Sequence, residues 1–204
     1  ESWASKNQSF STGNFNFQAE SLSGSNLLLW LDSSDTNGDG NFSNEPFGGS
    51  VDQWRDKSGA KRHAGNGNGP VLNYQRWNNK STLRFDGFSQ YLRVSDSSVF
   101  DLGEEGTVFV VGQGHSMSDW SPFVSKNGED QKGWQFRKNN NEFATFNLGV
   151  LGEQRGITNI NGEAHVWAMR KTKYKRSQWA DGNLDFEIID TGSIAPAPNS
   201  DLVI

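Results

Sequence analysis

RSQWADGNLDFEIID, residues 176–190, decides the fold class. Leu184, Phe186 and Ile188 alternate with Asp185 and Glu187, the period of two that sends successive side chains to opposite faces of a strand. Asp181-Gly182 separates this run from the one before it, and Asp-Gly supplies the positive φ angles that a tight hairpin turn demands. The stretch therefore reads as a hairpin whose return strand puts Leu184, Phe186 and Ile188 on one face and Asp185 and Glu187 on an ordinary solvated one.

The same pattern extends through the chain. NLLLWLD (26–32), TLRFDG (82–87), QYLRVS (90–95), TVFVVGQ (107–113), SPFVSK (121–126), GWQFRK (133–138), EFATFNL (142–148), HVWAMRK (165–171) and the terminal DLVI are apolar segments of strand length. Trp134 and Phe136 alternate as strictly as the residues of 184–188. Twenty-three glycines and almost no run of period 3.6 leave little room for helices. Short strands divided by Gly and Asn turns predict an all-β chain folded as an antiparallel β-sandwich. Hydrophobic residues make up only 33% of the 204, but aromatics reach 12%, which suits sheet faces filled by large rings and argues against disorder. One domain over 26–204 is expected, with residues 1–25 a linker or a first strand carrying Phe15 and Phe17.

A net charge of −5 gives no basic footprint for nucleic acid. RKTKYKR (170–176) is expected at a strand edge or turn, where Lys protects unpaired backbone. Cysteine is absent, and His63, His115 and His165 lack metal-ligand spacing, so zinc is not expected. No apolar run approaches bilayer length and no signal peptide is visible; a chain opening at Glu1 fits a processed or excised piece.

Within LDSSDTNGDGNFSNE (31–45), Asp35, Asn37 and Asp39 alternate, Gly40 allows a sharp bend, and the carbonyl of Asn41 falls at the seventh place. Calcium takes six to eight oxygens, and such a loop supplies several from one turn. An EF-hand is excluded, because its twelfth position is Pro46 and the preceding segment reads as a strand. A further carboxylate would come from Glu45, Asp52 or Asp32, with Glu45 preferred. The expected cofactor is Ca2+, in a structural role; an Asn/Gly-rich turn without a cation is the alternative.

LLLWLDSSDTNGDG (27–40), VDQWRDKSG (51–59), RHAG (62–65) and LRFDGFSQYLRV (83–94) occur in an order that resembles the LamG-like jelly-roll domains of the concanavalin A-like lectin/glucanase superfamily, bacterial extracellular modules. The resemblance covers roughly 26–190 and is best in the first half. It implies a jelly-roll sandwich, often with calcium near this loop, and an extracellular or cell-surface setting. It also implies Trp30, Trp54 and Tyr91 as core aromatics. Such domains continue past a strand like DLVI into a last strand, so the resemblance implies either a fragment or a jelly roll whose last strands come from another chain or a later part of a split domain.

Glucanases of that superfamily carry catalytic acids as E-x-D-x-x-E on one strand face. The nearest stretch, LDFEIIDTG (184–192), has its acids Asp185, Glu187 and Asp190 in the wrong order, and no nucleophile or phosphate-loop motif replaces it. The chain is therefore expected to be a non-catalytic, calcium-stabilised module, binding a glycan or surface polymer through exposed aromatics and amides. The candidates are Asp119 and Trp120 in SMSDWSPF, Trp134 in NGEDQKGWQF, and Asn139 and Asn140 in KNNNEF. The alternative is a structural unit of an adhesin or filament, joined to other copies or a strand-donating chain by strand exchange.

Overall fold

The computed structural model describes residues 26–77, 79–115, 117–128, 132–139 and 143–204; the expectations for 1–25 and Asn140 lie outside them. Twelve strands occur among the described residues: β1 (Val71–Trp77), β2 (Lys80–Arg84), β3 (Arg93–Val94), β4 (Gly106–Gln113), β5 (Pro122–Asn127), β6 (Gly133–Lys138), β7 (Phe143–Asn147), β8 (Glu153–Asn159), β9 (Ala164–Lys171), β10 (Lys175–Ala180), β11 (Asn183–Ile189) and β12 (Leu202–Val203). They form a six-stranded sheet ordered β3-β12-β5-β6-β7-β8, a four-stranded sheet ordered β11-β10-β9-β4, and the hairpin β1-β2. All pairings between these strands are antiparallel. The chain is a β-sandwich.

Alternation builds the core. Trp134 and Phe136 of β6 point inward with Phe146 of β7 and meet Trp167 and Met169 of β9, all nearly or wholly buried. The ring centroid of Phe136 lies 5.5 Å from that of Trp167 and 5.7 Å from that of Phe123. Each large ring removes about 150–250 Å² from water, a gross gain on the order of 4–6 kcal/mol against chain entropy. Trp54, Leu29 and Leu31 pack against the same cluster.

Three segments behave differently from their pattern. NLLLWLD makes no ladder: only Leu31 bridges to Asp56, while the Trp30 amide donates to Asp56 Oδ1 at 3.0 Å. The mixed-polarity stretches VLNYQRW and EQRGITN, by contrast, form β1 and β8, because neighbouring strands pair with them whatever their alternation.

The hairpin 176–190 forms with Asp181 and Gly182 both at positive φ (51° and 82°), as its sequence demands. Its return strand is not the simple alternation expected. Gln178 opposes Phe186 but Trp179 opposes Leu184, so Asp185 is an extra residue, a β-bulge. The bulge exposes Leu184 (56%) and turns Asp185 inward to 7% exposure, overturning the solvated placement of Asp185.

The basic cluster is likewise not all surface. Lys171 is wholly buried and donates to the carbonyls of Thr172 (2.6 Å) and Asp190 (2.9 Å). Arg176, 3% exposed, donates to the Gly152 carbonyl at 2.6 Å and lies 3.1 Å from Asp190 Oδ2. These two charges tie the β9–β10 hairpin to the residue after β11 and to the turn before β8 by satisfying their carbonyls.

Candidate functional site

The register of the six-stranded sheet puts Ser125, Gln135, Asn147 and Glu153 directly opposite one another on β5, β6, β7 and β8. They lie on the side of the sheet away from Trp134, Phe136 and Phe146, since side chains alternate along each strand. The row is hydrogen-bonded along its length. Gln135 Nε2 donates to Ser125 Oγ (3.2 Å), and Asn147 Nδ2 to Gln135 Oε1 (3.4 Å). Arg137, two residues along β6, donates from Nη1 to Gln135 Oε1 (2.7 Å) and from Nη2 to Glu153 Oε2 (3.0 Å).

A groove of about 420 Å³ runs over this row, lined by Asn127, Gln135, Arg137, Asn147 and Glu153, with Gly149 and Gly152 adding only backbone. Volumes of 300–1,000 Å³ are ordinary for small-ligand sites. Amides, one guanidinium and one carboxylate offer both donors and acceptors, the chemistry that vicinal hydroxyls require. The guanidinium of Arg137 lies 4.8 Å from the centroid of Trp120, a residue 45% exposed and held at φ 67°. An aromatic face thus stands beside the polar row, fixed by a cation–π contact.

The sequence candidates separate on this geometry. Trp120 is exposed and joined to Arg137 of the groove. Trp134 is 3% exposed, and its indole Nε1 donates to the Phe100 carbonyl at 2.7 Å; inward alternation makes it a core residue, out of a ligand's reach. Asp119 accepts from Lys138 Nζ at 2.8 Å, and with Lys138 only 5% exposed the carboxylate serves as counter-ion to a buried ammonium. Asn139 is 2% exposed and buried at the end of β6. Of the residues that sequence reading missed, Gln135, Arg137 and Asn147 had one legible signal, polar positions alternating with Trp134, Phe136 and Phe146 on the same strands, while Glu153 on β8 had none.

The acidic loop is a chain of side-chain turns. Asp35 is wholly buried: Oδ1 accepts from the Asp39 amide (3.0 Å) and Oδ2 from the Gly40 amide (3.2 Å). Lys57 Nζ lies 2.7 Å from Asp35 Oδ2 and 3.1 Å from Asp32 Oδ2, and 4.7 Å above the Trp30 ring. Burial by itself would lower the Lys57 pKa, but its bonds to Asp35 and Asp32 outweigh that and raise it. Asn37 Oδ1 accepts from the Asp39 amide and Asn41 Oδ1 from the Ser43 amide. The side-chain bond from Asn44, with those from Asn41 and Asn37, holds the Asp39 carboxyl below its ordinary range. Glu45, 5% exposed, accepts from Thr36 Oγ1 through one oxygen, while its Oε1 is buried without a partner. Among the described residues, no three carboxylates or imidazoles converge to hold an ion.

No protein-family model matches the sequence, and no curated protein matches it. Among solved structures, the chain is similar to the binding domain of Paraclostridial Mosquitocidal Protein 1, with a TM-score of 0.56 and 12% identity, over 76% of this chain and 42% of that one. It is also similar to Domain 4 of AbnA, a GH43 extracellular arabinanase from Geobacillus stearothermophilus, in complex with arabinotriose. There the TM-score is 0.53 and the identity 13%, over 86% of this chain and 82% of that one. At such identities the likeness establishes a shared β-sandwich fold.

Proposed function

We propose that the chain is a non-catalytic, extracellular carbohydrate-binding module of the LamG-like type, with its site in the groove over Gln135, Asn147 and Glu153. The observation that carries the reading is Trp120, half-exposed and stacked on Arg137 beside a row of amides. A sugar ring would lie on the indole while its hydroxyls bond to the row. The arabinotriose complex of a domain with this fold supports the ligand class. Among the described residues Glu153 is the one carboxylate lining the groove, and Asp185 is taken up by structural bonds, which supports binding without hydrolysis by paired acids.

The test is a glycan microarray followed by calorimetry on its strongest hit, with arabinotriose run alongside. Trp120→Asn, a residue suited to positive φ, is expected to weaken binding at least tenfold, about 1.4 kcal/mol, with an unchanged melting temperature. Equal affinity in the variant would remove the groove from the reading.

Calcium belongs to the same proposal. Asn37, Asp39, Asn41 and Glu45 supply hard oxygens, and the unpartnered buried Oε1 of Glu45 is a vacant acceptor of the kind a cation satisfies. Asp35 would be shared with Lys57. The ion would supply stability to the loop. At a hundredfold excess over Kd the gain is about 2.7 kcal/mol, or roughly 5–10 °C in melting temperature for a chain of this size. Unfolding midpoints that coincide in calcium and in chelator would sink this assignment and leave Lys57 as the loop's cation.

One observation favours the second reading, a surface subunit assembling by strand exchange. β4, GTVFVVGQ, ends its sheet among the described residues, pairs with β9 over all eight of its positions, and carries neither a charge nor a proline. Edges are normally protected by such residues. Calcium-dependent oligomers in size-exclusion chromatography would move the assignment to that reading.

A further inference from the structure

A second cleft, of about 280 Å³, lies at the other edge of the six-stranded sheet, where Lys61, Arg62 and His63 face the segment Ser95, Asp96 and Ser97 after β3. Its lining groups are almost all hydrogen-bond donors. His63 Nδ1 accepts from the Asp56 amide at 3.1 Å, so in the neutral ring the proton resides on Nε2. Lys61 sits at φ 58° and makes no ion pair among the described residues. Arg62 uses Nη1 on the Leu28 carbonyl (2.9 Å) and lies 5.9 Å from the Phe100 ring, which fixes the guanidinium while leaving further N–H groups to donate. Ser95 and Ser97 add hydroxyls.

The one acid among the described residues lining the cleft is paired with a buried cation, Lys126, which it shares with Asp101 at 3.7 Å. Asp96 Oδ1 accepts from the wholly buried Lys126 at 2.6 Å, and its Oδ2 accepts from the Asn199 amide at 2.7 Å. The Lys126 bond, against a smaller effect of burial, holds Asp96 below the usual carboxylate range. Beside that paired carboxylate, the described lining offers two cations, an imidazole N–H and two hydroxyls, so charged donors outnumber the one charged acceptor. Such a set takes an oxyanion, because charge-assisted bonds to a carboxylate or sulfate satisfy all of these donors together. The net charge of the whole chain, −5, opposes non-specific capture of polyanions, so affinity must come from this local arrangement.

We infer that the cleft between Lys61–His63 and Ser95–Ser97 is an oxyanion site that takes the carboxylate of a uronic acid residue, which would make the polymer recognised an acidic one. The site is separate from the groove at Trp120, and the assignment of its anion to a sugar rests on the carbohydrate-binding function proposed above.

The test is a titration of the 15N-labelled chain at constant ionic strength with sodium glucuronate, sodium sulfate and glucose, followed by amide shifts. Glucuronate is expected to move the amides of 61–63 and 95–97 along a saturating curve, with Lys61→Gln weakening it at least fivefold and Trp120→Asn leaving it unchanged. Saturation by sulfate as well, or by sulfate instead, supports an oxyanion site and reassigns the source of the anion to a sulfate ester. Shifts equal to those with glucose, or shifts that neither saturate nor respond to Lys61→Gln, overturn it. Lys61→Asn, suited to the same backbone, replaces Lys61→Gln if the latter alters the amide spectrum of the free chain.

Discussion

Asp185→Ala is expected to lower stability by about 3–5 kcal/mol, roughly 8–15 °C in melting temperature, a large effect for a residue that looks superficial in the sequence. Its Oδ1 accepts from the amides of Ile157 (3.1 Å) and Thr158 (2.9 Å) and from Thr158 Oγ1 (2.7 Å), all on β8. Its Oδ2 accepts from Gln178 Nε2 on β10 at 2.6 Å. One carboxylate thereby ties the last strand of the six-stranded sheet to the outermost strand of the other. Alanine strands those donors, the Gln178 amide in a buried place and the β8 groups in a part-buried one, where each unmet group costs up to about 1–3 kcal/mol. Asp185→Asn should cost much less, on the order of 1–2 kcal/mol. Its oxygen can keep the three bonds to β8, and Gln178 can flip to accept from the new amide with an Oε1 that now has no partner. Urea unfolding of the two variants checks the order; equal losses would mean that the charge, not the pattern of bonds, holds the strands together.

Lys126→Met is expected to cost about 2–4 kcal/mol, somewhat less than breaking a fully buried pair because Asp96 can regain water. The ammonium is wholly buried and donates to Asp96 Oδ1, to the Ala197 carbonyl at 2.8 Å and to the Ser200 carbonyl at 2.5 Å. Methionine keeps the packed stem but leaves those carbonyls without a donor. The loss should concentrate in 195–203, where this cation anchors the segment leading into β12. Hydrogen exchange should therefore accelerate there and at Val94, the β3 partner of Leu202, before it does in β9 or β10. Uniform acceleration across both sheets would contradict the local anchor. The pH dependence has a definite sign. The folded pKa of Asp96 lies below its unfolded value, so its contribution is complete above about pH 4 and fades as the pH falls through the folded value. Lys126→Met should flatten that acid limb.

The fold was largely legible in the sequence where alternation and turn chemistry agreed. Trp134 with Phe136 and the Asp181-Gly182 turn behave as period and φ demand, since both signals are local. Asp185 was misplaced because a bulge shifts the period by one residue, and a bulge is fixed by the partner strand and by the β8 amides that capture the carboxylate. Lys126 and Lys171 were not legible as buried cations, because their partners, carbonyls of distant or turn segments and for Lys126 also the Asp96 carboxylate 30 positions away, are announced by no local pattern. The candidate site was half legible. Trp120 could be picked as an aromatic in a polar loop, whereas the row Ser125, Gln135, Asn147 and Glu153 exists only through the pairing register of four strands. In the acidic loop the turn residues were plain, but the ammonium of Lys57 against Asp35 comes from 22 positions away along the chain.

The contact between Trp120 and Arg137 also has an optical consequence. An indole 45% open to solvent beside a guanidinium emits at longer wavelength than the buried indoles of Trp134 and Trp167, and iodide, drawn by the positive charge, quenches it first. The emission that Trp120→Asn removes from the total of eight tryptophans is thus expected to report occupancy beside Arg137 of the groove, without any label.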